Sequence, residues 1–435
     1  MKKIVIEQHA DNQWTPVSTL EWDATKNKCS MDVEPTWFQN IISLGLDPCN
    51  TFFSWKQDDR SNTAIIPPFL YDLLPQGSAR DSMLRILHLT SRDARADWPI
   101  LINGAVNPIG NLRLRSAVDF WQPMLDDAKL HKDRYRFTPK QVADRDEDFV
   151  EAMRLFGFIA SGGGSIQGAS PKFLLTRDQN GYFMPDLLVD DTDAVEHYIV
   201  KYPRSKHDSD LSILRHETMY MGIAEHIGLR SDAVPVTDND SFWMRRFDRK
   251  INRKGVTRIH QESLMSAAGI AGFGQPLSHD TVLDLLYELT SRPATEMLEY
   301  IKRDMLNIVL GNTDNHGRNT ALQITETGIV QMTPVFDIAP MFLDREAIPR
   351  QTRWDRDLES QAGLVNWSGL ADAIKTKYGF TLHAEIDKFN TELAGVPDLL
   401  VALGADDKVI TRAKRGLDLI EGEVMTSGNN RVRPS

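Results

Sequence analysis

An aspartate and an asparagine five residues apart, Asp314 and Asn319, lie in the polar run 311–319, and a second aspartate, Asp337, follows downstream. Phosphoryl transfer from a nucleotide needs a carboxylate that accepts the proton of the attacking hydroxyl, and it needs oxygen ligands for magnesium. These three residues are of the types that supply such groups. The same residue types are also common in ordinary turns, because Asn, Asp and Gly satisfy local backbone geometry. The loop alone therefore leaves a plain turn open as an alternative.

The elements around this loop favour the chemical interpretation. Helical spacing predicts a long helix over 293–310 that ends at Gly311, and two short strands are predicted at 320–324 and 329–332. A helix, a loop and a hairpin in this order would bring the two aspartates and the asparagine to one end of the hairpin. The sequence therefore indicates a corner that binds metal and phosphate.

A lysine and a glutamate give a second, independent indication of a nucleotide site. Lys201 lies in a predicted strand over 197–202, and Glu217 lies in a predicted amphipathic helix over 209–227. In protein kinases a strand lysine held by a helix glutamate contacts the phosphates of ATP. A solvated strand lysine and a surface glutamate are the alternatives for each residue alone.

The segment 161–172 is rich in glycine, and the backbone N–H groups of such a loop can wrap phosphates. It contains neither the Walker A pattern nor the G-x-G-x-x-G pattern of protein kinases. Its glycine content alone would fit a flexible connector equally well.

Composition narrows the class of protein. The 435 residues suffice for two or three domains with ordinary buried cores. The net charge of -11 gives no overall field that favours nucleic acid or an anionic membrane. We find no signal-peptide pattern and no apolar run near the roughly 18 residues of a spanning helix, so we expect a cytoplasmic protein with no membrane partner. Cys29 and Cys49 are too few for a disulfide framework or a thiolate zinc site, and reduced thiols fit this compartment.

Periodicity outlines the remaining elements. Alternating residues predict strands at 4–6, 17–22 and 110–118, and the charged segment 126–148 is interpreted as a linker that could include one exposed helix. A hairpin is predicted around Asn180-Gly181. Another strand is predicted over 241–247. Further helices are expected at 149–159, 281–290, 367–377, 384–393 and 409–423.

These elements predict an α+β fold in which a sheet-rich small lobe precedes a helical large lobe. The expected domains are an N-terminal subdomain plus linker over 1–145, a small lobe with the glycine-rich loop over 146–248, a large lobe with the catalytic loop over 249–425 and a flexible tail over 426–435.

Several segments, in this order, resemble the HipA family of serine/threonine kinases, the toxin halves of certain toxin–antitoxin pairs. The resemblance covers nearly the whole chain and implies a two-lobed, protein-kinase-like fold with an additional N-terminal α/β subdomain. The similar segments are Pro67–Gly77, an amino-terminal Leu-Leu-Pro-x-Gly element; Ser165–Lys172, the glycine-containing loop; Tyr198–Lys201, the nucleotide-lysine strand; Met244–Arg249, the inter-lobe segment; Thr313–Asn319, the catalytic loop; and Val335–Asp337, the metal-binding aspartate.

The resemblance implies a role for each matched residue. Asp314 would be the catalytic base, while Asn319 and Asp337 would hold magnesium. Lys201 would contact the phosphates of ATP, and backbone groups between Arg245 and Phe247 would hold the adenine. The full set expected around ATP is Ser165, Ile166, Gln167, Gly168, Ala169, Lys172, Lys201, Glu217, Arg245, Phe247, His316, Asn319 and Asp337.

Ser165 matches the serine that family members autophosphorylate, an event that moves the loop outward and inactivates the kinase. A phosphate added beside a phosphate site would repel the nucleotide, so this form of control is physically reasonable. Ser161 and Ser170 are alternative acceptors, and a merely structural role for Ser165 also stays open.

Two positions depart from the family's pattern. Arg318 stands where lysine is expected, and Arg245 stands where a common version of the segment has a carboxylate. Arginine keeps the positive charge but changes the hydrogen-bond geometry. Neither departure removes a group that transfer needs. The segment 260–262 resembles the family's Gln-Glu element, although a carboxylate at a helix start explains it equally well.

The expected function is phosphorylation of a serine or threonine in a translation component, with autophosphorylation of the glycine-rich loop. The protein target comes only from the resemblance. A small helix-turn-helix antitoxin is the expected partner, and DNA contact would come only through that partner. One alternative is a nucleotide-binding co-repressor of such an antitoxin. Another is a small-molecule kinase, because the same corner serves sugar and aminoglycoside kinases.

Overall fold

The computed structural model of the protein describes residues 3–23, 28–37, 39, 66–90, 93–160, 170–253 and 255–421. The chain forms two compact units. The first comprises Met1–Thr218, Asp232–Gln275 and Gly317–Pro334, and the second comprises Met219–Ser231, Pro276–His316 and Val335–Ser435. The chain passes from the second unit into the first between His316 and Gly317, inside the predicted catalytic loop. The predicted division at residues 145 and 248 stays a prediction.

The first sheet of unit 1 confirms the predicted strands near the amino terminus. Its strands are β1 (Lys3–Ala10), β2 (Gln13–Asp23), β3 (Lys28–Val33) and β4 (Leu112–Leu114). They are antiparallel in the order β3-β2-β1-β4. Ile4 and Ile6 of β1 are buried, as the alternating pattern requires.

The strand predicted over 110–118 is too long. Pairing with β1 covers only Leu112–Leu114, and a helix begins at Arg115. Ala117, Trp121, Leu125 and Ala128 are the buried residues of that helix, and their helical spacing overrides the short alternating pattern. The helices of this region are α1 (Gly77–Ile86), α2 (Asp97–Gly104), α3 (Arg115–Leu130), α4 (Pro139–Asp144) and α5 (Glu147–Ala160).

The interpretation of 126–148 as a linker is wrong. More than half of this segment lies in α3, α4 and α5, and the charged residues that it contributes to these helices are exposed. Thr138 and Gln141 form a capping box at the start of α4. The backbone of Phe137 exchanges two hydrogen bonds with that of Phe183, at 2.9 and 2.8 Å. The segment 126–148 is therefore an ordered part of unit 1.

The second sheet of unit 1 carries the predicted nucleotide lysine. Its strands are β5 (Lys172–Asp178), β6 (Phe183–Pro185), β7 (Ala194–Lys201), β8 (Val236–Asp238) and β9 (Ser241–Arg245). They pair antiparallel in the order β6-β5-β7-β9-β8. The predicted hairpin at Asn180-Gly181 is confirmed, and Gly181 has the positive φ of 84° that such turns favour. One hydrophobic core joins this sheet to the first one.

Helix α6 (Asp208–His226) follows β7, as predicted, and passes from unit 1 into unit 2 between Thr218 and Met219. Two further strands, β10 (Arg249–Asn252) and β11 (Gly255–Arg258), form a hairpin. Unit 1 also contains β12 (His260–Ser263), α7 (Leu264–Ala267), β13 (Ala321–Ile324) and β14 (Val330–Met332).

The hairpin predicted after the catalytic loop is confirmed by the pairing of β13 with β14. Strand β12 pairs with the free edge of β13 and makes the hairpin a three-stranded sheet. The sequence did not suggest this third strand. The helix-start explanation of Glu262 is wrong, because this residue lies in β12. There its Oε1 is 2.9 Å from Nε2 of His260, two residues away on the same face of the strand.

Unit 2 is mainly helical. Besides part of α6 it contains α8 (His279–Leu289), α9 (Pro293–Leu310), α10 (Trp367–Tyr378), α11 (His383–Leu393), α12 (Val396–Ala402) and α13 (Asp407–Glu421). Gly311 ends α9 with a left-handed φ of 69°, as the sequence predicts. Of these six helices, α12 was not anticipated. Antiparallel sheets and separate helices confirm the predicted α+β class.

The described ranges contain no helix that combines the length and the apolar character needed to cross a membrane.

Candidate functional site

Lys201 and Glu217 form the predicted ion pair. Lys201 ends β7, and its Nζ donates a hydrogen bond to Oε1 of Glu217 on α6 at 2.5 Å. The two side chains are only 4% and 5% exposed. Phe242, directly across from Lys201 on β9, places its ring 5.1 Å from the same Nζ. A buried ion pair needs such close geometry, because both charges lose their hydration.

Lys172 lies directly opposite Lys201 in the register of β5 and β7, and it is also buried. Directly opposed residues of antiparallel strands project from the same face of the sheet. Both residues carry a positive charge, and such charges attract an anion at that face of the sheet. The position of the two lysines therefore suits a phosphate group.

The segment Arg245–Phe247 leaves the sheet at the end of β9. Arg245 is exposed and lies opposite Tyr198, whereas Phe247 is buried. The backbone N–H of Arg246 donates to the carbonyl of His197 at 2.8 Å, so this group is engaged within the protein.

The side chain of Arg246 points inward into a buried charge network. Its guanidinium donates to both carboxylate oxygens of Asp248, at 2.9 and 2.7 Å, and to Oδ2 of Asp186 at 3.1 Å. Burial by itself would raise the pKa of Asp248, but the charges of Arg246 and Arg249 outweigh it and lower that pKa to about 2. The backbone N–H of Gly110 also donates to Asp248, at 2.8 Å. The network therefore fixes the chain that leaves β9.

The predicted loop residues Ser165, Ile166, Gln167, Gly168 and Ala169, with the autophosphorylation site among them, lie outside the described residues.

In unit 2, the predicted catalytic aspartate lies in an irregular segment after α9. Oδ1 of Asp314 is 3.5 Å from Nε2 of His316, and the two side chains are 24% and 22% exposed. Both are thus accessible enough to meet a substrate. The imidazole beside the carboxylate limits the orientations that Asp314 can take.

Asn315 fixes this half of the loop against the segment 350–354. Its Nδ2 donates to the carbonyl of Thr352 at 2.9 Å, and its Oδ1 accepts from the N–H groups of Gln351 and Thr352 at 3.0 and 3.2 Å. The hydroxyl of Thr352 donates in turn to the carbonyl of Asn315 at 2.8 Å. Four hydrogen bonds therefore hold the residue that follows Asp314.

The segment 350–354 is itself fixed by Asp304, a buried residue of α9. Oδ2 of Asp304 accepts from Arg350 at 2.8 Å and from the indole N–H of Trp354 at 2.9 Å, and Nε2 of His279 lies 3.3 Å from Oδ1. Burial by itself would raise the pKa of Asp304, but Arg350 and His279 outweigh it and hold that pKa well below its usual range. Asp304 is therefore ionised at neutral pH and anchors the segment on which Asn315 rests.

Asp337 has a left-handed backbone, with a φ of 58°, and its side chain is half buried. Non-glycine residues seldom adopt this conformation, and its occurrence at a polar residue is a reason to test that residue for function. Two residues earlier, the N–H of Val335 donates to the carbonyl of Arg230 at 2.8 Å and fixes the approach of the chain.

The second half of the loop belongs to unit 1. Arg318 is buried, and its Nη1 donates to Oδ1 of Asp72 at 2.7 Å, while its Nη2 donates to the carbonyl of Gly272 at 2.8 Å. Asn319 follows it and is half buried. Arg318, which replaces the family's lysine, therefore uses its side chain for hydrogen bonds inside unit 1.

Asn319 and Asp337 fit magnesium by donor chemistry, since both offer the hard oxygen ligands that this ion prefers. Across the described residues, no group of three or more His, Cys, Asp or Glu side chains could hold a metal ion. Magnesium often takes only one or two protein carboxylates and completes its shell with water and substrate phosphates. Asn319 in unit 1 and Asp337 in unit 2 are each of a residue type that can supply one such oxygen ligand.

Sequence reasoning missed the buried charge networks, although the one around Asp304 left a signal. Met297, Ile301 and Ile308 follow a helical period, and Asp304 falls on the same buried face of α9. A carboxylate on an apolar helix face predicts a buried partner. The partner Arg350 is distant in sequence, so its identity could not be read from the pattern.

Comparisons with known proteins agree with the resemblance. The model of the HipA-like C-terminal domain matches residues 164–394, which is more than half of the chain. A putative kinase, Y4mE of Sinorhizobium fredii, is 33% identical over 134 residues, which make up 28% of this chain and 31% of that protein. This chain thus matches less than a third of the length of its curated relative.

The fold is similar to that of HipA in the structure of the Shewanella oneidensis MR-1 toxin–antitoxin system, which contains HipA, HipB and operator DNA. That match covers 95% of both chains at 16% identity with a TM-score of 0.57, so it bears on the fold alone. Because the family model covers more than half of its length, this chain belongs to the HipA family.

Proposed function

We propose that this HipA-family protein is a kinase that uses ATP and magnesium to phosphorylate a serine or threonine hydroxyl of a protein, within a two-lobed kinase-like fold. The observation that carries the proposal is the buried pair of Lys201 and Glu217, with Lys172 in register beside it. A lysine held by a helix carboxylate and a second lysine on the same sheet face suit the phosphates of a nucleotide.

The proposal assigns the proton transfer to Asp314. Its carboxylate accepts the proton of the acceptor hydroxyl while the acceptor oxygen forms a bond to the γ-phosphorus of ATP. The bond between that phosphorus and the β–γ bridging oxygen breaks, and ADP leaves. His316, 3.5 Å away, helps to orient the carboxylate.

The remaining residues bind the nucleotide and the metal ion and position them for the reaction. Lys201 and Lys172 contact the phosphates, and backbone groups of Arg245–Phe247 hold the adenine. Asn319 and Asp337 would hold the magnesium ion, which neutralises phosphate charge when bound. Ser165 is proposed as the autophosphorylated residue on the basis of the resemblance alone, and so is a translation component as the target.

Phosphate transfer tests the proposal. With radiolabelled ATP and magnesium, the purified protein should label itself or an acceptor in a cell extract, and Asp314→Ala and Asp337→Ala should each abolish the label. Asp357→Ala, which removes an exposed carboxylate of the same unit, is the matched control and should retain activity. Undiminished labelling in both site variants would refute the assignment of these residues. Mass mapping of the labelled protein tests Ser165, and phosphate confined to other residues would refute its role.

A second function, co-repression with a small DNA-binding antitoxin, is favoured by one observation. The protein of similar fold from Shewanella oneidensis was solved together with HipB and operator DNA. If this chain acts in the same way, it should bind operator DNA only in the presence of a small helix-turn-helix partner. Operator binding by the purified chain alone would contradict this.

A further inference from the structure

Arg318 is held both by hydrogen bonds and by contacts with aromatic rings. Besides the bonds to Asp72 and Gly272, its guanidinium lies 4.9 Å from the ring centre of Phe273 and 5.9 Å from that of Tyr71. Arginine suits such a place because its planar group donates in two fixed directions and stacks on aromatic rings. A lysine could reach one of these acceptors but could not satisfy both.

Asp72 offers a rigid partner. It lies in the short 3-10 helix Pro68–Leu73, all of whose residues are buried. Its carboxylate also accepts from the N–H and the hydroxyl of Ser263, each at 2.7 Å. A carboxylate with these partners has little freedom to follow movements of Arg318.

The backbone on both sides of Arg318 is held by the two residues that follow Ser263. The carbonyl of Gly317 accepts from the N–H of Met265 at 3.3 Å, and that of Thr320 accepts from the N–H of Leu264 at 2.9 Å. Asn319 thus lies between two backbone positions that rest on the start of α7. The side chain of Arg318 is the third fixed point of this short stretch.

We propose that Asp72 and Arg318 form a positioning pair that holds Asn319 ready to bind magnesium. The amino-terminal Leu-Leu-Pro-x-Gly element would thereby act on the metal, through Asp72. The idea rests on the proposed function, since it requires that Asn319 bind the ion. Arg318 acts through its neighbour and is a positioning residue, with no contact to the phosphates required of it.

The test measures binding of a fluorescent, non-hydrolysable ATP analogue at increasing Mg²⁺ concentration, alongside the melting temperature. Loss of residues that orient a metal ligand typically weakens metal affinity by about 10-fold to 100-fold. We therefore expect Arg318→Lys and Asp72→Asn each to raise the Mg²⁺ concentration at half-maximal binding by about 10-fold.

Arg80→Lys is the matched control, because Arg80 pairs with Asp97 at 2.7 Å in the same unit. It should leave the Mg²⁺ response unchanged even if it lowers the melting temperature. An unchanged Mg²⁺ response in both folded test variants, or an equal shift in the control, would overturn the proposal. So would a wild-type protein that binds no nucleotide. The ATP analogue could bind with the predicted shifts in Mg²⁺ concentration while ATP gives no phosphate transfer. That result would refute the proposed function alone and would leave the positioning pair intact.

Discussion

The two halves of the loop 311–319 are fixed by different kinds of contact. In unit 2, Asn315 rests on Thr352 through neutral hydrogen bonds between an amide side chain and the backbone. In unit 1, Arg318 is held by a buried charge pair with Asp72 and by two aromatic rings. The half that carries the proposed base is thus held by many modest contacts, whereas the half that carries a proposed metal ligand has a buried ion pair in addition to its modest contacts.

This difference has an energetic consequence. A neutral hydrogen bond typically contributes about 0.5–1.5 kcal/mol, so the loss of one contact beside Asp314 should be tolerated. Removing one partner of a buried ion pair costs about 3–5 kcal/mol, because it leaves a charge without compensation. The metal half should therefore respond to single substitutions more sharply than the half that carries the base.

The largest effect is expected for Asp72→Ala, which leaves the charge of Arg318 buried. The free energy of unfolding should fall by about 3–5 kcal/mol in chemical denaturation. Lys140→Ala, in the exposed pair with Asp144, is the control and should cost much less than Asp72→Ala, because water screens an exposed pair. A loss for Asp72→Ala as small as that of the control would contradict the strength assigned to this pair.

Asp304→Asn should have the next largest effect, because it weakens the support under Asn315. We expect a loss of about 2 kcal/mol at neutral pH, typical of a hydrogen bond to a charged group. The pKa of Asp304 is lowered in the folded protein, so its stabilisation is present above the ordinary value of 3.8 and is lost as the pH falls. The difference between wild type and variant should therefore narrow below about pH 4 in unfolding experiments across pH. A difference that grows on acidification would contradict this sign.

Asn315→Ala removes three side-chain hydrogen bonds from a partly exposed position. The free energy of unfolding should fall by only about 1–2 kcal/mol, but kcat for phosphate transfer should fall more than the affinity for ATP. Steady-state kinetics at several ATP concentrations separate the two quantities. Equal losses in kcat and in ATP affinity would argue against a role in placing Asp314.

The smallest effect is expected for Thr352→Val. This change removes only the hydroxyl that donates to the carbonyl of Asn315, so stability should fall by about 1 kcal/mol with kcat nearly unchanged. Chemical denaturation and an activity assay measure both. If Thr352→Val lowered the free energy of unfolding as much as Asp72→Ala does, the two halves of the loop would not differ in their sensitivity to substitution.

Local patterns predicted most of the elements and one ion pair. The helix over 293–310 and its end at Gly311 follow from apolar spacing and from the left-handed conformation that glycine allows. Lys201 and Glu217 were recognised because a strand and the helix after it have a fixed order. By contrast, Arg115 begins a helix where alternation predicted a strand, because packing of its later turns decides the outcome.

Contacts distant in sequence could not be predicted. Asp72 and Arg318 are 246 residues apart, and Asp304 and Arg350 are 46 apart. No local rule connects such residues, because their meeting depends on the assembled fold. The sequence identified Arg318 only as a departure from the family's lysine, and the structure supplies the partner that explains it.

The most direct test of the central claim compares wild type with Asp314→Asn in two assays, binding of a non-hydrolysable ATP analogue and transfer of the γ-phosphate. Asparagine keeps the shape of the side chain but cannot accept the proton of the attacking hydroxyl. We predict that nucleotide affinity is preserved while transfer falls by about 100-fold to 10,000-fold, the range typical of a lost general base. Transfer at the wild-type rate by Asp314→Asn would contradict the claim.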